Sequence, residues 1–547
     1  MIKRYVAAAA AALVLGLAAC DDSGFLAEVP EDFVGPENFF RNADDALAAV
    51  NGVYAGFVSP LNCGSDDYYG RNFIMLVEYP AETVTSRYGA THDRGGIDAL
   101  NITTEHPYLA STWLCAYSAI GSANLVIDRV PAITSMDAAL RDRVVAEARF
   151  LRAIHYFNLV RLFGDVPLRL QPVDPTGSLN LPRSPAAEVY QAIIADLEYA
   201  ADKLPLTYAG VAGPNTGRAT SDAARALLAK VHLQFGAVHG GGAASFNAAA
   251  EQARRVVAGG RHRLLPEFAS IFALNNEMNQ EVVFAVQLTR VSGLGGRLAQ
   301  HVAPIGSGLS GVQPGGISFY PEWPFYRDWP AQDKRKAATV LTSYTHPTQG
   351  TLNWSRPMTG LTNAQTTTAL NNFGTPSGGP FFAKYLDPQA TTGAGDENDI
   401  ILIRYADVLL TLAEAINAAS GPTAEAYTAV NAVRTRAGLP NLAAGLSQAE
   451  FRDAVHLERR YEFVLEGHAY FDMQRSWEWS KARVERHMRL GRPVAQGGEN
   501  MNASPWQNSV PKIGLSGGVV EEKYRFFPIP AAAMSTNPQL TQNPGWS

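Results

Sequence analysis

Arg141-Asp142-Arg143-Val144-Val145-Ala146-Glu147-Ala148-Arg149-Phe150-Leu151-Arg152-Ala153-Ile154-His155-Tyr156-Phe157-Asn158-Leu159-Val160-Arg161-Leu162-Phe163 is followed by Gly164-Asp165-Val166-Pro167. Val144, Ala148, Leu151, Ile154 and Phe157 recur at steps of three and four, which puts them on one face of an α-helix. Gly164 stands where a helix needs a left-handed C-terminal residue, and Pro167 blocks any continuation. The stretch predicts one long, amphipathic, sharply terminated helix. An all-helical fold is the expectation to be extended outward from it.

Upstream, Asp44 to Phe57 has Leu47, Val50 and Tyr54 on one face, and about Ser111 to Arg129 reads as a second helix. Cys63 to Pro107 between them reads as loop. Downstream, helices are expected at about Pro185 to Lys203, Ser221 to Phe235 and Ala248 to Val257, the last two joined by a Gly-rich turn. They return at about Ile403 to Ala418, Thr423 to Ala437 and Ser447 to Leu465, after which the tail is irregular. Two helix pairs resemble each other. Leu227-Leu228 with Gly236, Ala253, Val256 and Val257 forms one; Leu409-Leu410 with Gly421, Ala429, Val430 and Val433 forms the other. Small residues at the expected contacts give both the look of tetratricopeptide-like units, which bury their apolar faces only by stacking. The expected fold is therefore mostly α: a tetratricopeptide-like helical-pair scaffold. It divides into an N-terminal helical half (20–260), a loop-rich insertion (261–400) and a C-terminal helical half with its tail (401–547). The insertion has lost the helical period and contains β-like pieces such as Val282 to Leu288.

With 547 residues, 46% of them hydrophobic, the chain has ample material for a large core. A net charge of −6 leaves no basic surplus to neutralise phosphates, so nucleic acid is excluded as a partner. Lys3 and Arg4 precede an apolar run, Val6 to Ala19, too short to span a bilayer. It reads as the core of a secretory leader, residues 1–19, ending Leu17-Ala18-Ala19-Cys20. Small residues before that cysteine form a lipobox, so Cys20 is expected to be the lipidated mature N-terminus and to anchor the chain to membrane. The other two cysteines, Cys63 and Cys115, are destined for an oxidising compartment; a disulfide and two buried thiols both remain open.

Several ordered motifs make the whole chain from Cys20 to Trp546 similar to the SusD/RagB family of outer-membrane nutrient-binding lipoproteins. They are Glu37-Asn38-Phe39-Phe40 with Ala46 to Tyr54; Trp113 to Asn124; and Ala148-Arg149-Phe150-Leu151-Arg152-Ala153 with Phe163-Gly164-Asp165-Val166-Pro167. Arg404-Tyr405-Ala406-Asp407, Glu458-Arg459-Arg460 to Glu466-Gly467, Phe527-Pro528-Ile529-Pro530 and Asn543-Pro544-Gly545 continue the series. The resemblance implies a protein that caps a SusC-like TonB-dependent transporter at the outer membrane and captures oligosaccharides, or in some members peptides. It implies no cofactor.

Three features that could suggest chemistry are set aside. Glu458, Glu462 and Glu466 lie one turn apart on one helical stripe, so they point the same way and do not flank a glycosidic bond. They read as structural, with Arg459, Arg460 and Arg475 near enough in sequence to neutralise them. Gly514-Leu515-Ser516-Gly517-Gly518 has the pattern of a nucleophile elbow, but a β-like run, Val519 to Phe527, follows where a helix is required. The 11 His residues are scattered and form no metal-ligand pattern.

Ligand contacts are expected on loops outside the motifs. Tyr79, Arg87, Tyr88, His92 and Asp93 lie between Tyr79 and Tyr108, and Tyr320, Trp323 and Trp354 lie in the insertion. Aromatic faces cover the apolar faces of sugars, and the polar groups bond hydroxyls. Trp323, held between Pro321 and Pro324, is the leading candidate. Trp113, Tyr117 and Asn124 sit at helical spacing in a motif and read as core; Phe325, Tyr326 and Asp333 to Arg335 read as structural. The two loop regions are expected to form one surface. Two rivals are a scaffold subunit that binds no ligand, favoured if these aromatics are buried, and a hydrolase, which requires carboxylates facing each other in a cleft.

Overall fold

The structure is a computed structural model. It describes residues 39–58, 68–86, 92–173, 180–211, 213–291, 294–304, 306–311, 318–348, 350–353, 380–390, 395–490 and 519–546. The leader, Cys20, Cys63, Arg87, Tyr88, Trp354 and the Gly514–Gly518 turn lie outside these residues.

Helix α1 spans Ala43–Ala55, α2 Pro107–Arg129, α3 Ala138–Phe163, α4 Ala186–Lys203, α5 Ser221–Val238 and α6 Gly242–Gly259. After the insertion come α7 (Tyr405–Ser420), α8 (Ala424–Arg436) and α9 (Gln448–Phe463). Local chemistry starts most of them: Asp137, Thr220 and Thr423 accept from backbone N–H groups, and Ser447 with Glu450 forms a reciprocal capping box. Gly164 ends α3 at φ 70°, the backbone region that its sequence position requires.

Each long helix from α2 to α8 packs against the next, and α9 lies against α7 and α8. This is the stacked arrangement expected of paired helices that cannot bury their faces alone. Notably, α6 packs directly on α7 although 145 residues intervene between Gly259 and Tyr405. The insertion thus leaves and re-enters the stack at one place. Small side chains permit the close approaches. Gly236 lies inside α5, not in the turn expected from sequence, and the Phe246 ring of α6 occupies the space a Cβ there would need, 2.6 Å away.

The insertion is more ordered than its sequence suggests. Strand β2 (Val282–Val286) pairs antiparallel with β8 (Ile400–Arg404), with Val282 opposite Arg404 and Val286 opposite Ile400. Both strands are almost fully buried, which explains their continuous apolar runs. Ile403 therefore belongs to a strand, and α7 begins two residues later than expected. Strand β1 (Val84–Thr85) pairs with β3 (Tyr320–Pro321), β4 (Val340–Leu341) with β7 (Phe381–Phe382), and β5 (Ser343–His346) with β6 (Gly350–Asn353).

Other expectations need correction. The stretch 63–107 is not all loop: Phe73–Glu78 is a helix with every residue buried, so it shows no amphipathic period. Asp93–Asp98 is another short helix. Helices also occupy Ala469–Arg475 and Trp477–Leu490 in the tail, the second burying Trp477, Ser480 and Val484, of which only two are apolar. The β-like run before Pro528 instead contains a 3-10 turn, Glu522–Arg525. No helix among the described residues is long and apolar enough to cross a membrane.

Buried carboxylates give the stability a two-sided pH dependence. Burial alone would raise the Glu414 carboxyl, but Arg475, which pairs with it, outweighs this and holds it down at about 2. Its folded value lies below the unfolded one, so its contribution is present above pH 4.5 and is lost as pH falls through 2. Burial pushes Glu78 up to about 8 and Asp399 up to about 7. Their contributions are full below the ordinary carboxylate values and are lost as pH rises through 7 and 8. Thermal melts from pH 9 to pH 2 should show a maximum between these arms. Glu78→Gln should flatten the alkaline arm and Glu414→Gln the acid arm; unchanged arms in both variants would refute the assignment.

Candidate functional site

The two loop regions expected to form one surface do meet. Thr85 lies opposite Tyr320, and Val84 opposite Pro321, in the β1–β3 ribbon, and the Glu322 N–H donates to the Thr83 carbonyl at 2.9 Å. The junction is cemented from below. The Tyr79 hydroxyl donates to the Ser318 carbonyl at 2.7 Å, and its ring stacks on Phe319 at 5.2 Å. Arg94 donates to the Ser318 hydroxyl oxygen at 2.6 Å and to the Tyr108 oxygen at 3.2 Å. Asp98 accepts from the Thr85 hydroxyl at 2.9 Å and the Ser86 N–H at 3.0 Å. Tyr79 is fully buried, and burial pushes its phenol well up. It is a structural residue of the junction and not a ligand contact, contrary to its sequence reading.

Beside this ribbon β3 contacts β7, and a small aromatic cluster forms where the pieces join. Tyr320 packs on Phe381 at 5.8 Å, and Phe381 meets the Tyr344 ring edge-on at 6.3 Å. Tyr320 is 8% exposed, which also removes it as an open platform; it supports its neighbours instead. Tyr344, on the β5–β6 hairpin, is half-buried and stands at the rim of that cluster. It was not singled out from sequence, although the short run Ser343-Tyr344-Thr345-His346 alternates as a half-exposed strand does.

Of the remaining candidates, His92 and Asp93 are exposed at the start of the Asp93–Asp98 helix, where the His92 ring nitrogen accepts from the Arg94 N–H at 3.2 Å. Next to them His106 contacts the Asp93 carbonyl at 3.0 Å through Nε2 and accepts from the Tyr108 N–H through Nδ1; burial pushes its imidazole down. Trp323 begins a short helix, Trp323–Asp328, with Pro324 in its first turn, so it does not lie on an extended loop. The residues excluded as structural are so placed: Phe325 is buried, and Asp333 accepts from Trp329 and Arg335. Tyr117 donates to the Pro167 carbonyl at 2.8 Å, and the Asn124 amide donates to the carbonyls of Arg169 and Gln171. Cys115 is buried in α2 and disulfide-bonded.

Glu458 and Glu462 of α9, and Glu466 three residues past its end rather than on the same helical stripe, are locked into ion pairs, as a structural role requires, but with different partners from those expected. Glu462 accepts from Arg404, Arg436 and Arg335; Glu466 from Arg404 and Lys384; and Glu458 from Arg434, with Arg335 2.7 Å away. Arg459 and Arg475 instead hold Asp472, and Arg460 reaches Glu82 at 2.8 Å. The cationic partners come from distant parts of the chain, which short-range spacing does not reveal. All three carboxylates are buried, and each is held by at least one cationic side chain. Among the described residues no His, Cys, Asp and Glu cluster has the arrangement of a metal site.

Residues 320–546 match the family model described as "SusD family", and residues 66–233 match one described as "Starch-binding associating with outer membrane". A SusD-like protein of Formosa agariphila is 30% identical over 484 residues, covering 85% of this chain and 89% of that one. A SusD homologue of Bacteroides thetaiotaomicron superposes with a TM-score of 0.77 at 25% identity, over 93% of this chain and 98% of the other. A structure described as a laminarin-binding SusD-like protein shares the fold at a TM-score of 0.68 and 23% identity, over 92% of this chain and all of that one (100%). Helical stack, ordered motifs and similarity over most of the length agree: the chain belongs to the SusD family.

Proposed function

We propose that the protein is a lipid-anchored, outward-facing glycan-binding subunit that captures oligosaccharides and passes them to a SusC-like TonB-dependent outer-membrane transporter. The carrying observation is the similarity along most of its length to SusD-like proteins, with one region matching a starch-binding, outer-membrane-associated family. A fold neighbour that bears a glycan in its description, laminarin, points to the same ligand class. The proposal assigns binding and no catalysis. The surface we assign to ligand is the rim where β1–β3 meets the β5–β6 hairpin. Tyr344 supplies an aromatic face there, and His92 with Asp93 supplies hydrogen bonds; Trp323, Arg87, Tyr88 and Trp354 are further candidates on the same segments.

Stacking and hydroxyl contacts at an open rim give modest affinity, with a dissociation constant on the order of micromolar to millimolar, about 4 to 8 kcal/mol. Weak binding suits a carrier that must release its cargo. The test is calorimetry of the wild type against a panel of oligosaccharides, then of Trp323→Ala and Tyr344→Ala against the best ligand. At least tenfold weaker binding with an unchanged melt supports the assigned rim. A large drop in melting temperature with binding retained shows that these residues are core.

The burial of Tyr79 and Tyr320 favours one alternative, a scaffold subunit that seats the transporter without holding ligand. That reading gains if no oligosaccharide gives heat while the protein still co-purifies with its transporter. Heat with short peptides and none with glycans would assign the peptide-binding branch instead.

A further inference from the structure

Inside the helical body lies a cavity of ≈ 50 Å³ whose wall includes Arg161 of α3, Lys230 of α5, Arg459 of α9, and Asp472 and Arg475 of the Ala469–Arg475 helix. That is room for a few water-sized particles. Burying four cations is tolerable only where each finds a counter-charge. Asp407 serves Lys230 at 2.5 Å and Arg459 at 2.9 Å. Asp472 serves Arg459 at 2.8 Å and Arg475 at 2.7 Å, and Glu414 serves Arg475 at 2.7 Å. Glu466 also lines the cavity but is held by Arg404 and Lys384, each at 2.7 Å.

Three carboxylates therefore answer four cations, and the one left over is Arg161. Its Nε donates to the Phe157 carbonyl at 3.1 Å and its Nη2 to the Asn158 amide oxygen at 2.6 Å; both acceptors are neutral. The rings of Phe157 and Phe471 lie 3.8 and 3.6 Å from its guanidinium carbon. These faces and carbonyls offset part of the desolvation, but among the described residues no carboxylate forms an ion pair with Arg161. Burial pushes the two neighbouring imidazoles, His456 and His468, down, so they remain neutral and do not alter the count. Burial also pushes Arg161 down, but only to about 10, so it stays charged at neutral pH.

We infer that this cavity binds one monovalent inorganic anion of chloride size, with the Arg161 guanidinium as its counter-charge. The site is separate from the glycan rim, and its test does not depend on ligand binding there. An anion bound only to the folded state stabilises it by mass action, so the melting temperature should rise saturably with chloride. At matched ionic strength we expect a rise of about 2 °C in sodium chloride over sodium gluconate, and a similar rise with bromide. A crystal soaked in sodium bromide should show an anomalous peak within hydrogen-bonding reach of Arg161. Arg161→Gln, which keeps donors but not the charge, should lose the chloride-specific rise. If that variant does not fold, the wild-type bromide peak still decides. Equal melting in chloride and gluconate, with no bromide in the cavity, would overturn the inference and leave a neutral water cluster there.

Discussion

Replacing Arg404 by Met is expected to lower the unfolding free energy by roughly 3–5 kcal/mol, among the largest effects of any single change in this chain. Arg404 ends β8 and is 1% exposed. Its guanidinium donates to Glu281 at 2.9 Å, to both Glu466 oxygens at 2.7 and 3.0 Å, to the Glu462 carbonyl at 2.8 Å and to the Glu462 carboxylate. Methionine fills much of the same volume, so the loss is mainly electrostatic: three buried carboxylates are left short of a counter-charge. The network also has a mechanical meaning. Glu281 immediately precedes β2, Arg335 and Lys384 lie within the insertion, and Glu462 and Glu466 belong to α9 and its end. Arg404 thus ties the insertion to the helical stack that carries it. The variant should melt lower and show faster proteolysis between residues 261 and 400 than elsewhere. Glu462→Gln should lower the melt as well, because Arg404, Arg436 and Arg335 all lose a partner. Neither change should create or remove glycan cleavage. A melt within experimental error of the wild type would refute the argument, and release of reducing ends that Glu462→Gln abolishes would revive the hydrolase.

The helices were legible wherever one face is buried and the other wet. The α3 stretch announces itself because its apolar residues keep step and Gly164 with Pro167 closes it. The same rule fails for Phe73–Glu78, where burial on every side erases the period, and for β2 and β8, whose partners lie more than a hundred residues apart. Charge pairing failed for a related reason. Arg459, Arg460 and Arg475 are near the α9 glutamates in sequence, yet the partners of Glu462 come from positions 335, 404 and 436. At the candidate site, the two segments that composition singles out, 79–108 and 320–354, do meet through β1 and β3. It did not separate platforms from props. Tyr79 and Tyr320 have the side chain a sugar platform wants, but each is also the residue that fills a junction between short strands. Only the packing tells the two uses apart.

A stacked helical body with a separately pinned insertion suits a binding protein. Loops mounted on a rigid frame vary in shape without disturbing the core beneath them. In this chain the insertion enters from α6 and returns to α7, and those helices pack on each other. Changes at the Tyr344 rim are therefore expected to leave the stack intact, while changes at Arg404 alter both.

Cys20→Ala should move the protein almost completely out of the detergent phase in Triton X-114 partitioning. The expectation rests on the apolar run Val6 to Ala19, which ends in Leu17-Ala18-Ala19 directly before Cys20. Each buried methylene of an acyl chain contributes about 0.8 kcal/mol, so one chain holds a protein only marginally and several hold it stably. No helix among the described residues offers an alternative span, so the anchor should rest on that thiol. Retention through the transporter would imitate an anchor, which is why the partitioning follows a carbonate wash that strips protein-bound subunits. Mass spectrometry of the wild type should find a mature chain that begins at Cys20 and carries diacylglycerol. An uncleaved leader would also keep the variant with membrane, and its mass distinguishes that case. If the variant partitions like the wild type after the wash, with the leader removed, the lipid anchor is wrong and attachment must come from another part of the chain.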